Sequence, residues 1–174
     1  MPALLTNVRI YLAIAEEAAA ESKRLAEGAR TRRSDGGWVT AFDPDRRSFK
    51  HSLIAVAFAG IYLEALLGLV ARERLPEHRL KKFDRSTYEE KLKLLGMSDP
   101  DLLGRCKRFR LARNDLIHEK VVDLDSAAHV PLRKGQEEAE FALDVVRSIT
   151  SLLRREQAVG AGSARTRPPR PERR

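Results

Sequence analysis

The sequence contains very little cysteine and few aromatic residues. Cys106 is the only cysteine among 174 residues, which excludes an intramolecular disulfide framework and a zinc site built on several cysteines. Aromatic residues make up 6% of the chain, and no run of alternating β-branched residues predicts a strand. The scarcity of cysteine is typical of a reducing compartment, and the first residues lack the basic leader of a signal peptide. We therefore expect a cytoplasmic protein.

Basic residues outnumber acidic ones, 33 against 25, for a formal net charge of +8. This excess favours an anionic partner and is silent about the fold. Half of it lies in the low-complexity segment 160–174, GAGSARTRPPRPERR, which has five arginines and one glutamate. The composition predicts a single domain over residues 1–158, followed by a disordered Arg/Pro-rich tail over 159–174.

Apolar residues recur at helical spacing through most of the predicted domain. The predicted long helices cover residues 2–27, 46–74, 99–119 and 136–157. Ser86-Thr87-Tyr88-Glu89 has the spacing of a capping box and begins a short helix. Residues 28–45 are expected to form a polar loop. The predicted fold class is therefore all-α, a helical bundle of four long helices plus one or two short ones.

The second predicted helix is the most apolar element of the chain. Its length would suit a membrane span, with Glu64 as the only formal charge between His51 and Ala71. A central carboxylate and the lack of a second such stretch favour instead a helix buried by its neighbours. We predict no membrane association.

The helix over 99–119 violates its own amphipathic pattern. On a helical wheel its buried face is defined by five apolar residues, which are Leu102, Cys106, Phe109, Leu116 and Ile117. Arg113 falls in the middle of that face, where an unpaired charge would cost several kcal/mol. Glu64 is the matching anomaly of the second helix. Two explanations stay open: a buried Glu64–Arg113 ion pair that serves packing alone, or a functional arginine.

Arg110, Asn114 and His118 follow one another at intervals of four residues and form a polar stripe beside that face. The other histidines are scattered and have no carboxylate at ligand spacing, so the sequence predicts no metal site. It also lacks the glycine-rich loops that bind nucleotide phosphates, and we expect no cofactor.

The segment RNDLIH, residues 113–118, resembles the R-x-x-x-x-H signature of HEPN (higher eukaryotes and prokaryotes nucleotide-binding) domains. An apolar helix with an acidic residue precedes it, and a loop and a final helix follow, so the resemblance covers residues 46–157. It implies a small HEPN-like helical bundle that dimerises. Many members are metal-independent ribonucleases of toxin–antitoxin and anti-phage systems, in which the motifs of two protomers form one composite site.

Carried over to this sequence, the resemblance makes Arg113 and His118 catalytic, with Asn114 at the polar position beside them. Histidine can transfer protons at neutral pH, and arginine can stabilise charge that develops on a phosphate. RNA would then be cut by attack of its own 2′-OH. Lys107 and Arg110 are expected to contact RNA phosphates. On an ideal wheel Arg113 and His118 lie 140° apart, so reach, helix distortion or a dimer must bring them together.

Three functions follow from these observations. The first is a metal-independent RNA endonuclease that works as a homodimer in a toxin or anti-phage role, with an antitoxin or defence-system partner. The second is a non-catalytic HEPN module that binds RNA, a nucleotide or a partner protein. The third is a structural helical dimer. One HEPN subgroup has a tyrosine two residues after the histidine, which a partner enzyme modifies, and Lys120 in this chain argues against that control.

Overall fold

A computed structural model of the chain describes residues 7–28, 30–40, 46–117 and 135–164. The described helices are, in chain order, α1 (Val8–Gly28), α2 (Arg47–Arg74), α3 (Glu77–Asp84), α4 (Tyr88–Leu94), α5 (Pro100–Ile117) and α6 (Gly135–Ala164). Four are long and two are short, which confirms the predicted all-α helical bundle. The only sheet among the described residues is a small hairpin of β1 (Arg30–Arg32) and β2 (Trp38–Thr40).

That hairpin replaces part of the predicted polar loop. Its strands pair antiparallel, with Thr31 opposite Val39. The turn depends on Gly36, whose φ of 85° lies in the region that glycine adopts without strain. The Gly37 N–H donates to Oδ1 of Asp35 at 2.9 Å, which satisfies a turn amide. Strands of three residues are too short for alternation to reveal them in a sequence.

Helix α2 is the centre of the bundle, with α1 and α6 packed along it. Small residues line the buried face of α1, so that the two helices approach closely, and Oγ of Ser22 lies 2.7 Å from Oγ of Ser52. On the α6 side the hydroxyl of Tyr62 lies 2.8 Å from Oγ1 of Thr150. Both contacts satisfy polar groups inside an otherwise apolar core. Although α2 is long and apolar enough to cross a bilayer, these neighbours bury 44% of its most apolar stretch.

The smaller elements close the other side of α2. Helix α4 begins with a capping box whose N-cap is Thr87 and whose third residue is Glu90, one position later than predicted. Phe83 of α3 and Phe109 of α5 are each 1% exposed, and burying a side chain of this size stabilises the fold by about 1.5–3 kcal/mol. At the C-terminal end α6 extends to Ala164 rather than to Gln157, so the predicted tail begins within a helix.

Candidate functional site

The position of the RNDLIH segment is set by helix α5. Leu102, Cys106 and Phe109 are buried as predicted, and Ala112 joins them. The prediction that Ile117 is buried is wrong, because its side chain is 42% exposed. Ala112 and Ile117 lie on opposite flanks of the wheel, so the buried face of α5 is rotated towards Ala112 and leaves Ile117 outside.

Arg113 lies between α5 and α2, against Gly60. A Cβ atom added at Gly60 would stand 2.4 Å from Nε and 2.6 Å from Cδ of Arg113. The absence of a side chain at position 60 therefore makes the room in which the arginine lies. In the described part of the chain, Nε of Arg113 is buried and has no hydrogen-bond partner. The wheel prediction that Arg113 turns towards the core is thus confirmed, although the residue as a whole is only half-buried.

Of the two explanations left open by the sequence, the Glu64–Arg113 ion pair does not occur among the described residues. Oε2 of Glu64 instead accepts a hydrogen bond from Nζ of Lys91 on α4, at 3.4 Å. Only 7% of the Lys91 side chain is exposed, against 49% of the Glu64 side chain. The ammonium of Lys91 also lies 5.6 Å from the centre of the Phe83 ring, a cation–π contact. A buried ammonium needs a counter-ion more than Arg113 does, which is the reason that Glu64 pairs with Lys91.

Lys91 was missed by the sequence interpretation. It lies three residues after Tyr88 and four before Leu95, on the apolar face of its helix, and all three residues are buried. The wheel criterion that identified Arg113 could therefore have identified Lys91 as well.

Tyr88 lies near both Arg113 and Glu64. Its hydroxyl donates to the carbonyl oxygen of Gly60 at 3.4 Å, and its ring stacks on Phe109 with centroids 6.0 Å apart. Burial raises the pKa of Tyr88 above its ordinary value, the nearby charge of Arg113 opposes that rise, and Glu64 adds to it. Gly60, Glu64, Tyr88, Lys91 and Arg113 thus form one group, which we call the Arg113 cluster.

The structure describes Asn114 and Lys107 of the predicted site but not His118. Asn114 is exposed at the surface of α5, next to Arg113. His118 lies outside the described residues, so the separation of Arg113 and His118 stays a prediction. Lys107 is exposed.

Arg110 is already bound to a carboxylate. Its Nε and Nη2 both donate to Glu89 of α4, at 3.0–3.3 Å. Burial raises the pKa of Glu89, but the hydrogen bonds from Arg110 act in the opposite direction and the net pKa is lowered. Arg110 could serve as the predicted phosphate ligand only by giving up this pair.

The described residues offer neither a reactive thiol nor a metal-binding cluster. Cys106 is buried, and burial raises the pKa of its thiol to about 12, which removes it as a nucleophile at neutral pH. The described residues contain no group of three or more His, Cys, Asp or Glu side chains that could hold a metal ion. The described site thus offers the guanidinium of Arg113, packed against Gly60, and the exposed amide of Asn114 at the next position of α5.

Comparison of the chain with protein-family models, with curated proteins and with solved structures finds no match.

Proposed function

We propose that the chain is a metal-independent RNA endonuclease of the HEPN type. The observation that carries the proposal is the placement of Arg113, at the end of α5 and in the RNDLIH segment, with its side chain held against Gly60. Among the described residues no carboxylate lies within ion-pair distance of Arg113, since Glu64 pairs with Lys91. A guanidinium without a carboxylate partner is suited to bind an anionic substrate.

The proposed reaction needs only groups in RNA and in the protein. The 2′-OH of one nucleotide loses its proton to a base and attacks the adjacent phosphorus, and the bond to the 5′-oxygen of the next nucleotide breaks. His118 transfers protons in this scheme, a role worth about 10²- to 10⁴-fold in rate. Arg113 stabilises the charge on the phosphate, and Asn114 supports it. The products are a 2′,3′-cyclic phosphate and a 5′-OH.

The proposal includes a homodimer with a composite site. Ile54 and Ile61 of α2 and Ile117 of α5 are large apolar side chains that are 37–42% exposed, and Ile117 directly precedes His118. Ile61 follows Gly60, the residue that contacts Arg113, and the exposure of Ile61 and Ile117 supports a second copy covering this end of α5. A cytoplasmic toxin or anti-phage role, with an antitoxin or defence partner, completes the proposal.

Cleavage of single-stranded RNA in excess EDTA tests the endonuclease. We expect strand scission that leaves 2′,3′-cyclic phosphate ends and spares DNA of the same sequence, which lacks the 2′-OH. His118→Ala, purified in the same way, serves as the control for co-purifying nucleases and should be inactive. Cleavage that requires metal, or that persists in His118→Ala, would contradict the mechanism.

The second candidate is a non-catalytic HEPN module. It is favoured by the buried Nε of Arg113, which shows that this side chain is also part of the packing between α2 and α5. A module of this kind would bind RNA in a salt-sensitive way without cutting it. Arg113→Ala would then lower the melting temperature, while His118→Ala would change neither melting nor binding. The endonuclease predicts instead that His118→Ala abolishes cleavage at an unchanged melting temperature.

A further inference from the structure

The basic residues around the RNDLIH segment are largely neutralised by ion pairs. Arg110 binds Glu89, as described above, Arg105 binds Asp144 at 2.5 Å, and Arg108 lies 3.5 Å from Glu138. The guanidinium of Arg108 also stacks on the Phe141 ring, with its Cζ 3.8 Å from the ring centre. Three of the five basic residues of α5 are thus paired, and the helix is not a free cationic surface. An extended RNA strand needs other contacts.

In contrast to α5, a cleft between α3 and α4 has basic residues that are not paired with carboxylates of the described residues. Its volume is about 560 Å³, and it is lined by His78, Lys81, Lys82, Arg85, Ser86 and Glu90. Lys81, Lys82 and Arg85 are exposed, and in the described part of the chain none of the three has a carboxylate within ion-pair distance. Three positive charges thus face one concavity.

The one acidic residue of the cleft does not cancel this charge. The carboxylate of Glu90 accepts hydrogen bonds from the backbone N–H of Thr87 at 2.8 Å and from its hydroxyl at 3.0 Å. These bonds, and to a smaller extent the charge of Lys82, lower the pKa of Glu90. Glu90 is therefore ionised but occupied as the cap of α4. The cleft keeps a net charge of about +2 at neutral pH.

Stabilisation of the α3 dipole does not account for all the positive charge of Lys81, Lys82 and Arg85. Lys81 and Lys82 lie in the last turn of α3, where positive charge stabilises the helix dipole. A helix C-terminus carries only about half a negative charge, whereas Lys81, Lys82 and Arg85 together carry three positive ones. Most of the positive charge in the cleft is left for a ligand.

We propose that the α3–α4 cleft binds the phosphodiester backbone of single-stranded RNA. That the strand is RNA rests on the proposed function. The cleft itself would recognise a row of phosphate anions. Lysine and arginine side chains that neutralise phosphates release counterions, and this is the main source of affinity for nucleic acid. A membrane surface fits less well, because the apolar side chains of α3 turn inward: Phe83 is buried and Leu80 is half-buried.

The test compares two triple variants with the same change in net charge. The first is Lys81→Gln, Lys82→Gln and Arg85→Gln in the cleft. The control is Lys23→Gln, Lys50→Gln and Arg9→Gln, which removes two lysines and one arginine that are exposed on α1 and α2. Both are made in the His118→Ala background, so that RNA is not cut during the measurement. Binding of a fluorescent single-stranded RNA is measured against salt concentration.

We expect the cleft variant to bind RNA about tenfold more weakly at low salt, and its slope of log K against log salt to fall by about 2, from three lost contacts at ~0.7 each. The control should keep most of the affinity. A third variant, Lys81→Arg and Lys82→Arg, should bind as well as the parent. Equal losses in both triples, or no loss in the cleft variant, would overturn the proposal. The proposal would also be overturned if the cleft variant bound RNA as well as its parent but lost binding to anionic vesicles.

A loss of RNA binding in the cleft variant can be distinguished from unfolding and from failure of the proposed endonuclease. All the substituted side chains are exposed, so circular dichroism should show melting temperatures within a few degrees of the parent. If the unmutated chain does not cut RNA but the cleft variant loses binding, the cleft proposal holds and the endonuclease is wrong. If the unmutated chain cuts RNA and the cleft variant binds RNA as tightly as its His118→Ala parent, the endonuclease holds and the cleft proposal is wrong. DNA of the same sequence should bind through the cleft as RNA does.

Discussion

Arg113 lies so close to Gly60 that a Cβ at position 60 would stand 2.4 Å from its Nε. This contact joins the helix that carries the RNDLIH segment to the central helix of the bundle. Gly60 therefore matters through Arg113, because any residue larger than glycine would fill the space in which the arginine lies.

Gly60→Ala should displace the long, half-buried side chain of Arg113 and destabilise the fold by about 1 kcal/mol, the lower end of the usual cost of overpacking. Gly68→Ala is the matched control on the same helix, because an added Cβ there meets no atom within 4 Å. Its higher helix propensity should stabilise the fold by about 0.5–1 kcal/mol. Urea denaturation of both variants measures the difference in the free energy of unfolding.

A double-mutant cycle shows whether Gly60 acts through Arg113. In an Arg113→Ala background the Gly60→Ala substitution should stabilise the fold as Gly68→Ala does, because the side-chain atoms that the new Cβ would strike are gone. An equal cost of Gly60→Ala in both backgrounds would mean that another contact is responsible.

The Glu64–Lys91 pair should respond unequally to the loss of either partner. Glu64→Ala leaves a buried ammonium without its counter-ion and should cost about 1–3 kcal/mol. Lys91→Met leaves Glu64, which is half-exposed and can be solvated, so this change should be close to neutral. The double variant should be more stable than Glu64→Ala alone. Equal effects of the two single substitutions on the free energy of unfolding would refute the asymmetry.

The Arg110–Glu89 pair should make stability fall in acid. The pKa of Glu89 in the folded chain is held below its ordinary value of 4.5, so the pair stabilises the fold above pH 4.5. That contribution is lost as the pH falls below 4.5 and through the folded-state pKa. Arg110→Gln should lower stability at neutral pH and flatten this acid dependence. Arg147→Gln, which breaks an exposed pair with Glu16, is the control and should leave the profile nearly unchanged.

Cys106 should be protected from thiol reagents while the chain is folded. Its side chain is fully buried and its thiol has a pKa raised to about 12, so little thiolate is present or accessible at neutral pH. A colorimetric thiol reagent should label it only on addition of denaturant. Labelling of the folded chain at the rate of a free thiol would show that α5 does not pack as described.

Amphipathic spacing and caps are local properties, so the four long helices and most of the residues that they bury could be predicted from the sequence alone. It also identified Arg113 as a charge turned towards the core. The partner of Glu64 depended on the tertiary structure, because only the packing of α4 brings Lys91 within 3.4 Å of it. The same holds for Arg105, Arg108 and Arg110 of α5, which have no evident partner in the sequence but pair with carboxylates of α4 and α6 in the folded chain. Counter-ions come from distant segments, so the uncompensated charge of the α3–α4 cleft emerges only once the helices are packed.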